Sequence, residues 1–260
     1  MKTFTTLVLL IAGASGTALA NDCAFRANRE GSFQISGARS IDVLAHAGDL
    51  SIVGRPGLTQ ARASGVACAS RKELLDSIRI VGTRSGDSLD IETEMPQDLG
   101  GLASLFGFGD YARLDLTLEV PDAVPLIVRD GSGDTIIENV AGLTLEDGSG
   151  EIRISGVHGN VRVRDGSGDM EIRRTAGNVE ISDGSGDITV QGVGGDVVID
   201  SDGSGDIDIA DVTRNVLVKN DGSGSISVAW VKGTFTVDDD GSGGIHYRDV
   251  AGKVTLPPDR

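Results

Sequence analysis

Short runs of alternating apolar and polar residues, broken by Gly, Ser and Asp, organise this chain. A period of two is the signature of a strand with one buried face. SIDVL (residues 40–44), GDLSI (48–52), SIRIV (77–81) and SLDI (88–91) follow it. RLDLTLEV (113–120) follows it longest, with Leu114, Leu116, Leu118 and Val120 on one side. Pro121 ends that strand because proline cannot donate to a ladder. A single helical turn is expected at residues 71–76, so residues 21–122 read as β-rich and irregularly spaced.

From Leu126 the alternation becomes periodic. The residues DGSG start at Asp130, Asp147, Asp165, Asp183, Asp202, Asp221 and Asp240, seven copies at intervals of 17, 18, 18, 19, 19 and 19. Such self-similarity marks an array of stacked units. Counting from each Asp, position five holds Thr135, Ile152, Met170, Ile188, Ile207, Ile226 and Ile245; position seven holds Ile137, Ile154, Ile172, Val190, Ile209, Val228 and Tyr247. Position ten is Val in every copy except Thr175, and a second strand adds pairs such as Val161/Val163 and Val197/Ile199. Thr135 is the one polar residue in the first two columns.

A unit of this length cannot bury its own apolar face, but stacked units share one core. The expected fold is all-β: a β-solenoid of stacked two-strand rungs over residues 123–260, preceded by a less regular β-rich region at 21–122. Rungs ~4.8 Å apart make seven of them a rod ~30 Å long. The length changes fall between strands, as expected where burial fixes register and loops absorb change. Phe235 and Tyr247 in the last rungs and Pro257-Pro258 after them are read as the cap.

GARSIDVLAHAGDLSIVG (37–54), RSGDSLDIETEMP (84–96) and the ladder of DGSGD blocks together resemble a bacterial exported family, the putative-adhesin family of β-strand repeats. The resemblance covers residues 37–256, and the repeated DGSGD is its most specific part. It implies adhesion by analogy and supplies no catalytic residues.

Composition adds a compartment. Residues 1–20 carry Lys2, an apolar run at 7–11 and Ala18-Leu19-Ala20, the pattern of a secretory signal peptide. No later stretch has the ~18 consecutive apolar residues of a membrane helix. The expectation is an exported protein, periplasmic or at the cell surface, with no transmembrane helix after cleavage. Cys23 and Cys68 are then expected to form one disulfide. The net charge is −16, and removing one Lys with the signal peptide makes it −17. That charge argues against a nucleic-acid partner. It also argues against anionic lipid heads, leaving an unidentified envelope or surface partner, protein or glycan.

Candidate chemistry is confined to the corners. Stacking aligns Asp130, Asp147, Asp165, Asp183, Asp202, Asp221 and Asp240 in one acidic column, and Asp134, Glu151, Asp169, Asp187 and Asp206 in another. The plainest reading is turn chemistry: Gly supplies φ > 0 and Asp bonds its own backbone. Like charges ~5 Å apart repel by about 1 kcal/mol even in water. The carboxylates therefore either splay into solvent or hold Ca²⁺, which accepts six to eight oxygens. DGSGD matches neither the nonapeptide calcium roll nor the EF-hand loop. No other cofactor is expected.

Paired carboxylates also raise a glycan-active enzyme. Against it, the pairs repeat nearly identically, aromatic residues are 3% of the chain, and no rung is interrupted. His46, His158 and His246 are scattered singly and read as surface residues, and Ser in DGSG lacks the nucleophile-elbow pattern. The loop GGLASLFGFG (100–109) fits neither period; it reads as a lid on the open end of the sheet or as an exposed contact site.

Overall fold

The computed structural model describes residues 23–96 and 109–258. The segment read as a signal peptide and residues 100–108 of the apolar loop lie outside the described residues. The first strands are β1 (Phe25–Gln34), β2 (Ser40–Leu44), β3 (Leu50–Arg55) and β4 (Gln60–Ala69). After helix α1 (Lys72–Ser77) come β5 (Arg79–Ser85), β6 (Ser88–Glu94) and β7 (Ala112–Pro121). The periodic part continues with β8 (Leu126–Arg129), β9 (Thr135–Glu138), β10 (Leu143–Glu146), β11 (Ile152–Val157), β12 (Val161–Arg164), β13 (Met170–Thr175) and β14 (Val179–Ser182). It ends with β15 (Ile188–Val193), β16 (Val197–Ser201), β17 (Ile207–Val212), β18 (Val216–Asp221), β19 (Ile226–Val231), β20 (Phe235–Asp240), β21 (Ile245–Val250) and β22 (Val254–Thr255).

Each rung places one strand in each of two 11-stranded sheets, as the two-strand unit predicts. Odd-numbered strands from β9 to β21 pair in parallel in one sheet, and even-numbered strands from β8 to β22 in the other. Register is constant: Ile152, Met170, Ile188, Ile207, Ile226 and Ile245 stand opposite one another. Burial follows the pattern. Positions five, seven and ten point inward, and one cluster of buried side chains runs without a gap from Ile41 to Val237. This protein is a β-solenoid, and the aliphatic columns are its axis.

The array begins earlier than the DGSG motif. Strand β2 pairs with β8 and β3 with β9, both in parallel, so residues 40–55 form a rung of their own. Its corner is Ala45-His46-Ala47-Gly48-Asp49, and Gly48 N–H donates to Ser132 O (3.0 Å) as corner glycines do further along. Ala45 and His46 stand where later corners have Asp and Gly, which hides the rung from a motif count. Strands β6 and β7 pair with β2 and β3 and add a further level.

Beyond that level the pairing turns antiparallel: β7 to β4, β4 to β1, and β6 to β5. Helix α1 covers this end, burying Leu74 and Leu75 against Ala67, Ala69, Ile78, Ala112 and Leu114. Arg29 crosses from β1 to donate to the carbonyls of Leu75 and Ile78, both at 2.7 Å, satisfying acceptors that the end of a helix leaves open. The Phe33 ring lies where a Cβ on Gly82 would fall, 2.1 Å away, which is why that strand carries Gly. Cys23 and Cys68 are bonded as a disulfide and tie the start of β1 to β4. At the other end Phe235 is fully buried, and the half-exposed Tyr247 leans on it, ring centroids 6.0 Å apart.

The register has a direct test in a substitution pair. Ile181→Ala, at a fully buried position, should cost about 2–5 kcal/mol. Glu180→Ala, its outward neighbour, should stay within about 0.5 kcal/mol. Urea unfolding of both variants reads the difference, and equal costs would contradict the inward and outward faces described.

Candidate functional site: the stacked corners

Each corner lies directly on the one before it. Asp165 N–H donates to Ser182 O (2.9 Å), Gly166 N–H to Asp147 O (3.2 Å) and Gly168 N–H to Ser185 O (2.9 Å), so one corner is tied to both neighbours. The glycines follow from this contact. A Cβ on Gly166 would stand 2.5 Å from Gly148 O, and one on Gly168 1.9 Å from Gly150 O. Gly168 also has φ +135, a conformation that L side chains avoid. Turn chemistry and rung stacking together account for DGSG.

The first acidic column neither splays into solvent nor faces an open channel. Asp130, Asp147, Asp165, Asp183, Asp202 and Asp221 point inward, from 9% exposed at Asp165 to 1% at Asp221, while Asp240 in the last corner is half-buried. In Asp130, Asp165 and Asp183 one oxygen is held locally: Gly131 N–H donates to Asp130 Oδ1 (2.8 Å), Ser167 N–H to Asp165 Oδ1 (3.3 Å) and Gly184 N–H to Asp183 Oδ1 (2.8 Å). Thr135 Oγ1 donates to Asp130 Oδ2 (3.0 Å), which explains the polar residue in an apolar column. Asp165 Oδ2, Asp183 Oδ2 and both carboxyl oxygens of Asp147, Asp202 and Asp221 have no partner.

A buried, half-satisfied carboxyl is easier to keep when neutral. Burial first, and then the charges of Asp130 and Asp165, push Asp147 up to about 6. Burial, then Asp165 and Asp202, push Asp183 up to about 7. Burial and then the Asp202 charge push Asp221 up to about 7. Burial raises Asp130, Asp165 and Asp202 as well. The three raised furthest are every second member, the arrangement in which alternate protons remove all adjacent charge pairs. Asp202 and Asp221 stand opposite each other on successive rungs, joined by a parallel backbone bridge.

The second acidic column does different work. Its four Asp members lie at the surface, and each accepts a backbone N–H from the following rung, while the half-buried Glu151 pairs with Arg153 instead. Glu151 N–H donates to Asp134 Oδ1 (3.1 Å), Asp187 N–H to Asp169 Oδ1 (3.0 Å), Asp206 N–H to Asp187 Oδ1 (2.9 Å) and Ser225 N–H to Asp206 Oδ1 (2.8 Å). A third column repeats the device at the opposite corner and was missed in the sequence. Asn160, Asn178, Asp196 and Asn215 accept from the amides of Asn178, Asp196, Asn215 and Thr234 at 2.9–3.0 Å. Their common position, thirteen after each corner Asp, was the available signal.

Among the described residues, no three His, Cys, Asp or Glu side chains converge as a metal site. His46, His158 and His246 are exposed and far apart in the repeat; His46 Nδ1 lies 3.1 Å from Thr93 Oγ1. A second surface feature is a groove on the outer face of the odd-strand sheet, lined by Gln191, Asp208, Ser227, Trp230, His246 and Arg248 among others.

A stack of near-identical parallel rungs, with chemistry confined to corners and outer faces, defines a β-solenoid module. The chain belongs to the family described as "Putative auto-transporter adhesin, head GIN domain", whose model matches residues 57–249. Solved structures match the chain at low identity. A putative adhesin from Bacteroides fragilis is 15% identical with TM-score 0.50, covering 89% of this chain and 97% of that one. A putative lipid binding protein from Parabacteroides distasonis is 17% identical with TM-score 0.47 over 90% and 97% of the two chains. A putative cell adhesion protein from Clostridium sporogenes is 12% identical with TM-score 0.41 over 89% and 99%. No match was found among curated proteins.

The buried column makes stability depend on pH. In the unfolded chain these acids titrate near 3.8, whereas in the folded column Asp147 is pushed up to about 6 and Asp183 and Asp221 to about 7. Its stabilising share is therefore complete below the unfolded value and is lost as pH rises through the folded values. Asp110 and Asp200, lowered mainly by bonds to Arg71 and Lys219, act oppositely and lose their share only in stronger acid. The melting midpoint should fall as pH rises from about 5 to about 8. Asp183→Asn, which keeps the shape without the charge, should flatten that slope and raise the midpoint at the upper pH by about 2–4 °C. A midpoint that climbs from pH 5 to 8 would refute the protonated column.

Proposed function

We propose that the protein is an exported, non-enzymatic, adhesin-like module of the bacterial cell envelope. The family match over residues 57–249 is the observation that carries the reading. The fold supports it. A rod of paired sheets offers long, flat outer faces, with ion pairs such as Arg162–Glu180 and Lys219–Asp200 between rungs. Export rests on the pattern of residues 1–20, and no helix among the described residues is long and apolar enough to cross a membrane. The partner is an envelope or surface component, protein or glycan. Catalysis draws no support from the corners, since their acids are either buried or committed to backbone amides. One oxygen of each outer Asp is already bonded to a backbone amide of the next rung, which supports reading the corners as structure rather than as a calcium ladder.

Purified protein immobilised on beads should retain envelope material saturably, and its melting midpoint should be the same in EDTA and in millimolar Ca²⁺. Absence of retention would sink the adhesin reading. Release of reducing sugar from the envelope material would favour an enzyme, and a midpoint raised by Ca²⁺ would restore the calcium ladder.

A further inference from the structure

We infer that the groove at the C-terminal end of the odd-strand sheet is a binding site for a neutral oligosaccharide, with Trp230 as its platform. The inference rests on the adhesin-like reading for its purpose, since it names the class of partner such a module would hold. The groove is open to solvent, with a volume of about 470 Å³, within the size range of small-molecule sites.

Two outward columns explain why a hollow exists there. Positions six and eight after each corner Asp face solvent on this sheet. In β11 and β13 they carry Arg153 and then Glu171 with Arg173, each Arg paired to a Glu on the same rung, and the face is filled. In β17 and β19 position eight shrinks to Ala210 and Ala229, and position six of β19 to Ser227. The following level then raises a wall, where Arg248 of β21 lies with its guanidinium 4.5 Å from the centre of the Trp230 ring. That contact fixes the ring at the edge of the hollow.

Trp230 is the one aromatic in its column, where Arg174 is the other large side chain. Position nine takes left-handed φ in every rung: Asn139 +56, Gly156 +70, Arg174 +54, Gly192 +75, Asp211 +58 and Asp249 +55. Gly, Asn and Asp tolerate that conformation, whereas a bulky aromatic is an outlier there. The chain's single Trp nevertheless occupies it at φ +55, and 46% of the residue is exposed. Core packing therefore does not offset the strain. Strained residues that packing does not explain gather at binding sites.

The surrounding groups select the ligand. The hydrogen-rich face of a pyranose stacks on an indole, and its hydroxyls both donate and accept. Asp208 accepts, Ser227 does either, and Gln191 is held in place by Asp211 (3.2 Å) with further bonding capacity to spare. Asp208, Ser227 and His246 stand in register on successive strands, ~4.8 Å apart, so successive sugar units meet successive polar groups. An acyl chain or apolar peptide would bury Asp208 and Arg248 without partners. An acidic polymer would face Asp208 and Asp211.

Because Trp230 is the only Trp, its emission reports occupancy directly. Titration of the full chain with cellohexaose, chitohexaose and maltohexaose should give a saturable change with at least one of them. By calorimetry, Trp230→Gly should weaken that binding by at least about tenfold, while its melting midpoint stays level or rises, because Gly is native to this position at Gly156 and Gly192. Asp208→Ala should weaken binding with the midpoint unchanged. No response to any of the three sugars, undiminished binding by Trp230→Gly, or a midpoint several degrees lower in that variant would each overturn the site. The two readings separate on the bead assay. Sugar binding without envelope retention leaves the groove and removes the adhesin role, whereas envelope retention undiminished by Trp230→Gly, with no sugar bound, does the reverse.

Discussion

Backbone rests on backbone at every corner of this solenoid, and the rest of the molecule follows from that contact. A side chain between two corners would force neighbouring rungs apart and break the ladders on both sides. The two glycines of DGSG are therefore a condition of stacking. Once the corners are locked at strand spacing, each position of one rung must stand over the same position of the last. Columns of like residues are then unavoidable, and the aliphatic ones fuse into a single core.

The same geometry makes the acidic column costly, and two devices offset the cost. Burial raises the pKa of the inward Asp residues, because a neutral carboxyl is easier to bury than a charged one. Outward Asp and Asn residues instead spend an oxygen on the amide of the following rung, where charge strengthens the bond and solvent screens neighbours. One residue type thus has two roles, decided by whether its position turns in or out.

Much of the fold was legible in the sequence. The period, the inward columns, the single helical turn and the pairing of strands all appear as expected, because burial imposes a period of two and stacking imposes identity at fixed offsets. The rung at residues 40–55 was hidden, since Ala45 and His46 satisfy the same corner with different letters. Inward burial of the first Asp column was also hidden, because a carboxyl at a turn ordinarily faces water. The Asn column was visible at a constant offset but lacked a reason until the amides beneath it were placed. Trp230 carries no pattern in the sequence; its backbone conformation and the small residues beside it are what single it out.

The side-chain ladders run in one direction. Asp134, Asp169, Asp187 and Asp206 at one corner, and Asn160, Asn178, Asp196 and Asn215 at the other, always accept from the rung that comes later in the chain. A finished rung therefore presents open acceptors, already positioned, to residues not yet in place. Polypeptides emerge N-terminus first, so the closed end bearing α1 and the disulfide is available before any repeat is needed. The rod carries its own assembly polarity, each turn serving as the mould for the next.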